Sequence, residues 1–241
     1  MRSTLSLPFV IVVVLAFGAW FFFKPDPHGN ALRARALATR GLAEHLARTH
    51  PGKRALIVAN PFIQQGATAR AIVATEAAGI RGLREGFGSN VTVAAVALPD
   101  LRPEARDNPR ALLAGTETTT PLSYLVAPGA FDQLARQHPD CELIVSLIGL
   151  PADLSRCEVW HNPGPPQFAL LLPDLRMVGD AAAVESALKS GKLAALVLLK
   201  PGAPGDDVAP GKDFSTEFEK RFLLVNDENA PQILRAYPGL F

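Results

Sequence analysis

Six short apolar runs constrain this sequence most, because strands that are buried on both faces can be arranged in few ways. The runs are residues 54–60, 91–98, 142–148, 168–172, 193–199 and 222–226. Most are near-continuous in aliphatic residues, which is typical of strands covered on both sides by helices. Segments of helical composition lie between them, at 68–87, 130–137, 181–190 and 229–237. This alternation predicts an α/β fold with a doubly wound, mostly parallel sheet of about six strands flanked by helices.

An uncharged stretch precedes these runs. No charged side chain occurs from Ser3 to Phe23, and Trp20 with the phenylalanines that follow forms an aromatic cluster before Lys24. As a helix this stretch would be about 31 Å long, close to the ~30 Å hydrocarbon core of a bilayer. We therefore expect one N-terminal transmembrane helix, an uncleaved signal anchor.

A cleaved signal peptide, with Ala16 and Gly18 at the −3 and −1 positions, and a buried core helix are the alternatives. Cleavage after Gly18 would leave residues 19–23, an apolar aromatic segment, as an exposed N-terminus. A short tail before one anchor, with a large domain after it, most often stays in the cytoplasm. The expected location is therefore a bacterial cytoplasmic membrane, crossed once, with the main domain on the periplasmic side.

The expected domain organisation is an anchor at 1–23, a linker at 24–30 and a single α/β domain at 31–241. The linker is rich in Pro and turn-forming residues, and Asn30 is the expected N-cap of a helix over 31–49. Arginines of this helix either rest on anionic lipid headgroups or form an ordinary solvated face. They are Arg33, Arg35, Arg40 and Arg48.

Charge excludes general binding of nucleic acid. The chain has 24 Lys and Arg against 23 Asp and Glu, and one of the basic residues, Arg2, precedes the uncharged stretch. The domain that follows is therefore neutral, whereas a nucleic-acid binder needs a basic surface that displaces counterions. Sequence motifs for a nucleotide-binding Gly-rich loop or a nucleophile elbow are absent, so an enzyme is the least favoured class.

A resemblance to a known class appears over residues 54–200. Arg54-Ala-Leu-Ile-Val-Ala-Asn-Pro-Phe62 leads into a helix with Gly79-Ile-Arg-Gly-Leu-Arg-Glu-Gly86 and then into a strand that ends at Asp100. This order, together with Glu142-Leu-Ile-Val-Ser-Leu-Ile-Gly-Leu-Pro151, is similar to type I periplasmic-binding-protein-like domains. The usual second lobe is truncated or missing. Members of this class bind small solutes between two lobes, without catalysis or a cofactor, and the resemblance implies such a binding module here.

The expected ligand site lies beyond the carboxyl ends of the strands, where ligands bind in open parallel sheets. Side-chain amides, an aromatic ring and a helix N-terminus after the first strand would suit a small polar solute. The candidate ligand-binding residues are Asn60, Phe62, Gln64, Gln65, Thr68, Asp100 and Asp153. The alternative is an ordinary polar loop, with Thr68 and Asp153 as helix N-caps.

The sequence gives little indication of a metal site, a cofactor site or a disulfide. Cys157 and His161 could share a helix face, but two ligands do not make a zinc site, and the sequence predicts neither a metal nor a cofactor. Ser186-Ala-Leu-Lys189 matches S-x-x-K without its partner motifs and is interpreted as a chance match. Cys141 and Cys157 either form a disulfide, which an oxidising compartment permits, or remain two separate thiols.

Two functional hypotheses follow. The first is a membrane-anchored, non-catalytic binding or scaffold module for a small polar solute. The alternative is a single-pass accessory subunit of a larger membrane complex, with the long Pro-containing insertion at 99–129 docked on a partner. A solute binder should show a concave pocket lined by the 60–66 and 149–153 loops, whereas an accessory subunit should show a filled rim there. The expected partners are the lipid bilayer through residues 3–23, subunits of a membrane complex and a small polar solute.

Overall fold

A computed structural model describes residues 26–64, 69–114, 117–118 and 120–240. The strands are β1 Arg54–Val58, β2 Thr92–Ala97, β3 Leu143–Ser146, β4 Gln167–Leu171, β5 Leu193–Leu199 and β6 Phe222–Val225. The helices are α1 Pro27–Thr49, α2 Arg70–Phe87, α3 Pro103–Asp107, α4 Pro109–Leu112, α5 Leu122–Leu125, α6 Ala130–Gln137, α7 Glu158–His161, α8 Ala181–Lys189, α9 Phe214–Arg221 and α10 Ala230–Ala236. Short 3₁₀ turns occur at Pro61–Gln64, Leu154–Arg156, Leu175–Met177 and Pro238–Leu240.

The strands form one sheet in the order β2-β1-β3-β4-β5-β6. Neighbours from β2 to β5 pair in parallel, and β6 pairs antiparallel with β5, with Leu199 opposite Phe222. β6 is antiparallel because residues 200–213 and α9 bring the chain back to the edge at which β5 ends. The predicted α/β fold with a mostly parallel, six-stranded sheet is confirmed.

Alternate residues of each strand pack into two separate cores. On one face Leu56, Ile144 and Phe168 pack with side chains of α6, α8 and α10. On the other face Ile57 and Val145 pack with α1 and α2. Helices therefore cover both faces, which explains why the strand sequences are apolar throughout rather than alternating.

α1 and α2 pack against each other at very short range through glycines of α2. A Cβ at Gly86 would lie 2.5 Å from the Arg40 carbonyl oxygen, and one at Gly82 would collide with the Ala36 carbonyl oxygen. Backbones approach this closely only where a side chain is missing. The Gly-spaced segment of α2 is thus a helix-packing surface.

One local prediction is wrong, and one helix was not predicted. α1 begins at Pro27, inside the segment assigned to the linker, because Asp26 rather than Asn30 caps it: Asp26 Oδ1 accepts a hydrogen bond of 2.9 Å from the Gly29 amide. α9 was not predicted, since its sequence is polar and directly continues into β6.

The predicted anchor at residues 3–23 lies outside the described residues. Among the residues that the structure describes, no helix combines the length and the apolar character needed to cross a bilayer.

Candidate functional site

The carboxyl ends of β1 to β5 meet at one edge of the sheet, which we call the carboxyl edge. β2 lies on one side of β1 and β3 on the other, so the connections that leave β1 and β3 diverge at this point. Ligands of doubly wound sheets bind at such a point. Each loop proposed from the sequence to hold a ligand follows one of these strands.

A cavity of about 280 Å³ lies at the carboxyl edge, beyond β1 and β2. It is lined by Pro61, Gln64, Leu98, Pro99, Asp100, Leu101 and Arg106. We call it the carboxyl-edge cavity. Two of the predicted residues, Gln64 and Asp100, therefore lie together, and the structure adds Arg106 from the first short helix of the insertion.

Opposite charges line this cavity without neutralising each other. Asp100 and Arg106 are exposed, and neither side chain makes a hydrogen bond or ion pair with any residue of the described ranges. The Asp100 backbone is held in place, since its carbonyl accepts a hydrogen bond of 2.7 Å from the Ala127 amide. One anionic and one cationic group are thus available to a ligand.

Asn60 and Phe62 shape the loop. Asn60 Oδ1 accepts a hydrogen bond of 2.9 Å from the Phe62 amide, which is an Asx turn. Phe62 is half-buried against Leu101, Ala105 and Leu125, so its ring anchors the loop to the insertion. Neither residue lines the carboxyl-edge cavity. The predicted residues Gln65 and Thr68 lie outside the described residues.

Asp153 lies in a different part of this edge. It occupies the N-cap position of a 3₁₀ turn but makes no side-chain cap; instead its Oδ2 accepts a hydrogen bond of 3.1 Å from the Gly129 amide. The neighbouring Ala152 amide donates to the Ser123 carbonyl at 3.0 Å. The 149–153 loop is therefore docked on the insertion, and it does not line the carboxyl-edge cavity with the 60–64 loop.

A buried ion pair lies beyond the carboxyl ends of β1 and β3, where the connections that leave these strands diverge. Arg35 Nη2 lies 2.6 Å from Glu76 Oε1, and the two side chains are 17% and 5% exposed. Glu76 Oε2 accepts a hydrogen bond from the Asn60 amide at 3.2 Å. Arg35 is therefore mostly buried against Glu76 rather than on a solvated face. Sequence reasoning missed this pair because Arg35 was placed on an exposed helix face.

The insertion also closes the end of β4. Thr118 Oγ1 donates a hydrogen bond of 2.8 Å to Asp174 Oδ2, and Arg176 Nη2 binds the same oxygen at 2.7 Å. Hydrogen bonds from Arg176, followed by that of Thr118, hold the pKa of Asp174 below its usual value. Asp174 thus remains an anion that fastens the insertion to the sheet.

A second cavity, of about 200 Å³, lies where β4 and β5 end and is lined in part by the buried Arg221. The Arg221 side chain is 3% exposed, and its Nη1 and Nη2 donate to the carbonyls of Pro204 and Val208 at 3.1 and 2.8 Å. Arg221 therefore holds the 200–212 loop against the domain.

A cavity of about 610 Å³ lies at the opposite edge of the sheet. Gln167 begins β4 and Lys192 immediately precedes β5, so this cavity is at the amino ends of the strands. We call it the amino-edge cavity. This cavity was not predicted from the sequence. The feature that could have indicated it is Trp160, an aromatic residue beside the turn-rich segment 161–166.

Cys141 and Cys157 are both buried and both free, so the structure shows two separate thiols. Cys157 Sγ lies 3.5 Å from Asp132 Oδ1, and burial together with that carboxylate raises the pKa of the Cys157 thiol to about 12. A thiol that stays protonated at neutral pH is a poor nucleophile and metal ligand. His161 Nε2 instead pairs with the Ser155 carbonyl at 3.2 Å. Within the described ranges no group of three or more His, Cys, Asp or Glu is placed to hold a metal ion.

Comparison with known proteins finds similarity in solved structures alone. No family model matches the sequence, and no curated protein matches it. A periplasmic solute-binding protein from Actinobacillus succinogenes with bound D-allose is 10% identical, with a TM-score of 0.43, and the match covers 82% of this chain and 62% of that one. A carbohydrate transporter from Acidothermus cellulolyticus in complex with myo-inositol is 11% identical, with a TM-score of 0.45 and 86% and 62% covered.

A sugar-binding protein of a Bacillus halodurans ABC transporter is 11% identical, with a TM-score of 0.44 and 82% and 64% of the two chains covered. The chain thus spans less than two thirds of the length of these proteins. They are of the periplasmic-binding class that residues 54–200 resemble. At this identity and TM-score the likeness carries no information about a ligand of this chain.

Proposed function

We propose that this chain is a non-catalytic binding module that takes a small polar solute in the carboxyl-edge cavity. The observation that carries the proposal is the pair of unneutralised, opposite charges, Asp100 and Arg106, in one cavity with the Gln64 amide. A solute with both an ammonium and a carboxylate group complements this lining, because charge-assisted hydrogen bonds are stronger than neutral ones.

The size and chemistry of the cavity favour binding of a small molecule. Its volume of about 280 Å³ is at the lower end of small-molecule sites, which suits a solute of amino-acid size. Its described lining contains no serine, cysteine or histidine. The insertion supplies Arg106 and is thereby part of the proposed site.

Calorimetric titration of the purified full chain with glycine, L-alanine and β-alanine tests this proposal. Acetate and ethylamine, which each carry one of the two charges, serve as comparison ligands. We expect a zwitterion to bind, and Asp100→Asn and Arg106→Gln each to weaken binding by about tenfold or more, since each removes a charge-assisted hydrogen bond.

Asp107→Asn and Arg110→Gln are matched controls, because both residues are exposed, belong to the same insertion and do not line the cavity. They should leave the affinity unchanged. Failure of all three zwitterions to bind at millimolar concentration, or equal binding by the Asp100→Asn/Arg106→Gln double variant, would contradict the proposal.

We also propose that residues 3–23 anchor the chain in a bacterial cytoplasmic membrane, with the main domain on the periplasmic side. The uncharged stretch of bilayer length supports this. The chain should then stay in the membrane pellet after alkaline carbonate extraction, and the domain should be cleaved by protease added to spheroplasts. Release by carbonate would contradict the anchor, and protection from the protease would contradict the orientation.

An accessory subunit of a membrane complex is the second candidate function. Ile72 and Val73, adjacent on α2, are 37% and 44% exposed, and the 149–153 loop is covered by the insertion as that hypothesis expects. Native membranes should be extracted in mild detergent, and the extract separated by size-exclusion chromatography. Stoichiometric co-elution with a complex, lost in an Ile72→Glu/Val73→Glu variant, would favour the accessory subunit; migration alone would favour the solute binder.

A further inference from the structure

The amino-edge cavity has the size of a small-molecule site and is independent of the carboxyl-edge cavity. Its volume of about 610 Å³ lies well within the range of such sites. It is bounded by α8, by the 160–165 segment and by residues that immediately precede or begin the parallel strands. The two cavities share no lining residue and lie at opposite ends of the strands.

The wall of the amino-edge cavity is held by side-chain hydrogen bonds to backbone carbonyls. Lys192 Nζ donates to the carbonyls of Val159 and Gly164 at 3.0 Å each and to that of Pro166 at 3.2 Å, which uses all three of its donors. Gln167 Nε2 donates to the Gly191 carbonyl at 2.6 Å. A ligand would therefore meet a preformed cavity, which lowers the entropic cost of binding.

The charged groups in the lining already have hydrogen-bond partners in the protein. Lys53 is paired with Glu142, and Lys192 donates to the three carbonyls just described. The lining holds no further Asp, Glu, Lys or Arg. Lys192 has no carboxylate partner and keeps its charge, but its three donors are used, so the lining offers a ligand mainly neutral donors and acceptors.

Three polar groups of the lining remain unused by the protein. Within the described ranges the Trp160 indole N–H, the Asn162 amide and the Ser186 hydroxyl have no hydrogen-bond partner. They offer donors and acceptors to a ligand. Apolar surface lies beside them, contributed by Pro163, Pro165, Val178, Ala183 and Ala187.

The Trp160 ring is held in place as well. It packs edge-on against Phe168 with 5.3 Å between ring centroids, and Phe168 is fully buried. Asp132 holds the helix that carries Trp160, because its carboxylate accepts hydrogen bonds from the amides of Glu158 and Val159 at 3.1 and 2.7 Å. A rigid aromatic surface costs little conformational entropy when a ligand packs on it.

We infer that the amino-edge cavity is a second binding site, for a neutral polyhydroxylated ring such as a monosaccharide or a cyclic polyol. Ring C–H groups pack on Trp160 and the apolar wall, and ring hydroxyls bind Asn162 and Ser186. Such a ligand provides apolar faces and neutral donors and acceptors in the combination that this lining leaves open.

Tryptophan fluorescence and calorimetry test this inference on the purified full chain. The chain has two tryptophans, so Trp20→Phe leaves Trp160 as the sole reporter. The probes are D-glucose, maltose and myo-inositol, each added to millimolar concentration, with glycine as a ligand that the carboxyl-edge cavity alone should bind. We expect saturable binding of at least one probe with a change in Trp160 emission.

Two variants decide whether the probe occupies the amino-edge cavity. Ser186 is exposed on α8, and the phenylalanine ring of Ser186→Phe should fill the cavity, so binding of the probe should be lost. Asn162→Ala removes one polar partner and should weaken binding of the probe by about fivefold. Gln64→Ala, in the other cavity, is the control and should bind the probe as the parent does.

Lack of saturable binding for all three probes would overturn the inference. So would binding that survives Ser186→Phe, since the probe would then lie elsewhere. Binding lost in Gln64→Ala but kept in Ser186→Phe would place a neutral solute in the carboxyl-edge cavity instead. The two proposals fail separately, because the charged variants of Asp100 and Arg106 test one cavity and Ser186→Phe tests the other.

Discussion

At the residue scale, Arg35 and Glu76 have the strongest structural role among the charged side chains described above. Glu76 joins α2 to α1 through Arg35 and to the end of β1 through the Asn60 amide. Arg35 Nη2 also reaches the Leu147 carbonyl at 3.4 Å, just beyond β3. The pair therefore connects α1 and α2, which cover one face of the sheet, to the residues that follow β1 and β3.

Removing the charge of Glu76 should destabilise the domain strongly. Glu76→Gln leaves the buried Arg35 without a counter-charge, and breaking a buried pair in this way costs about 3 kcal/mol or more. The measurement is the free energy of unfolding in urea. Glu44→Gln, which breaks the more exposed Arg40–Glu44 pair, is the control and should cost less than about 1 kcal/mol. Equal effects of the two variants would show that the Arg35–Glu76 pair has no special role.

A second residue-scale prediction concerns acid stability. Burial lowers the pKa of His45, and the nearby Arg48 and His50 lower it further, while Asp227 opposes the shift. Burial also lowers the pKa of His50. As pH falls through the ordinary histidine pKa of about 6.5, the unfolded chain takes up a proton at this position before the folded chain does. The folded state therefore loses stability below about pH 6.5, whereas above that pH the contribution of neutral His45 is fully present.

The melting temperature should therefore fall between pH 7 and pH 5, and His45→Gln should reduce the slope. The described carboxylates with a lowered pKa, Asp174, Asp213 and Glu217, contribute only at more acidic pH. His28→Gln, at an exposed position in the first turn of α1, is the control and should keep the parental slope. An unchanged slope in His45→Gln would contradict the assignment.

At the element scale, the contact between α1 and α2 decides how the face of the sheet at β1 and β3 is covered. Gly82→Ala places a methyl group against the Ala36 carbonyl and the Thr39 hydroxyl, so the helices must separate. Overpacking of this kind costs about 1–3 kcal/mol, which outweighs the gain in helix propensity from Ala. Urea unfolding measures the loss.

Gly239→Ala is the matched control for this prediction. Its added Cβ would meet no atom within 4 Å, so the substitution should change stability by less than about 1 kcal/mol. Equal stability of Gly82→Ala and the parent would mean that the two helices move apart without cost. The sequence showed the glycine spacing, but only the packed helices show its purpose.

The helices and strands with strong hydrophobic patterns were predictable one by one. β5 was predicted at the residues where it is found because it is a continuous apolar run. α6 was predicted likewise, because its apolar residues repeat with the period of a helix. α9 and the short helices of the insertion were missed, since they are polar or brief and depend on tertiary contacts. Asp213 caps α9, because its Oδ1 accepts a hydrogen bond of 2.8 Å from the Thr216 amide. An Asp at this position is a common N-cap and could have predicted where the helix begins.

At the scale of the whole molecule, the two proposed sites lie at opposite edges of one sheet and have different chemistry. The carboxyl-edge cavity has opposite charges that are free to bind a ligand, whereas the charged groups of the amino-edge cavity already have partners in the protein and its free groups are neutral. A ligand in one cavity touches no lining residue of the other. The two binding events should therefore be thermodynamically independent.

This independence can be measured by titration. The dissociation constant of glycine should stay the same within about twofold when the polyol probe is saturating, since without coupling neither affinity changes. Titration in the reverse order should give the same result. Competition between the two ligands would show that they share a cavity and would contradict the division into two sites.

The sequence by itself determined the fold class and the edge of the sheet at which the loops of the first site gather. Strands buried on both faces must be apolar throughout, and parallel strands bring their carboxyl ends together, so both conclusions follow from pattern alone. The tertiary structure decided which side chains meet. Arg106 joins Gln64 and Asp100, while Asp153 turns to Gly129, because the fold of a long insertion depends on contacts with distant residues. The amino-edge cavity was decided in the same way, since residues of α8 and of the 160–165 segment come together only in the tertiary structure.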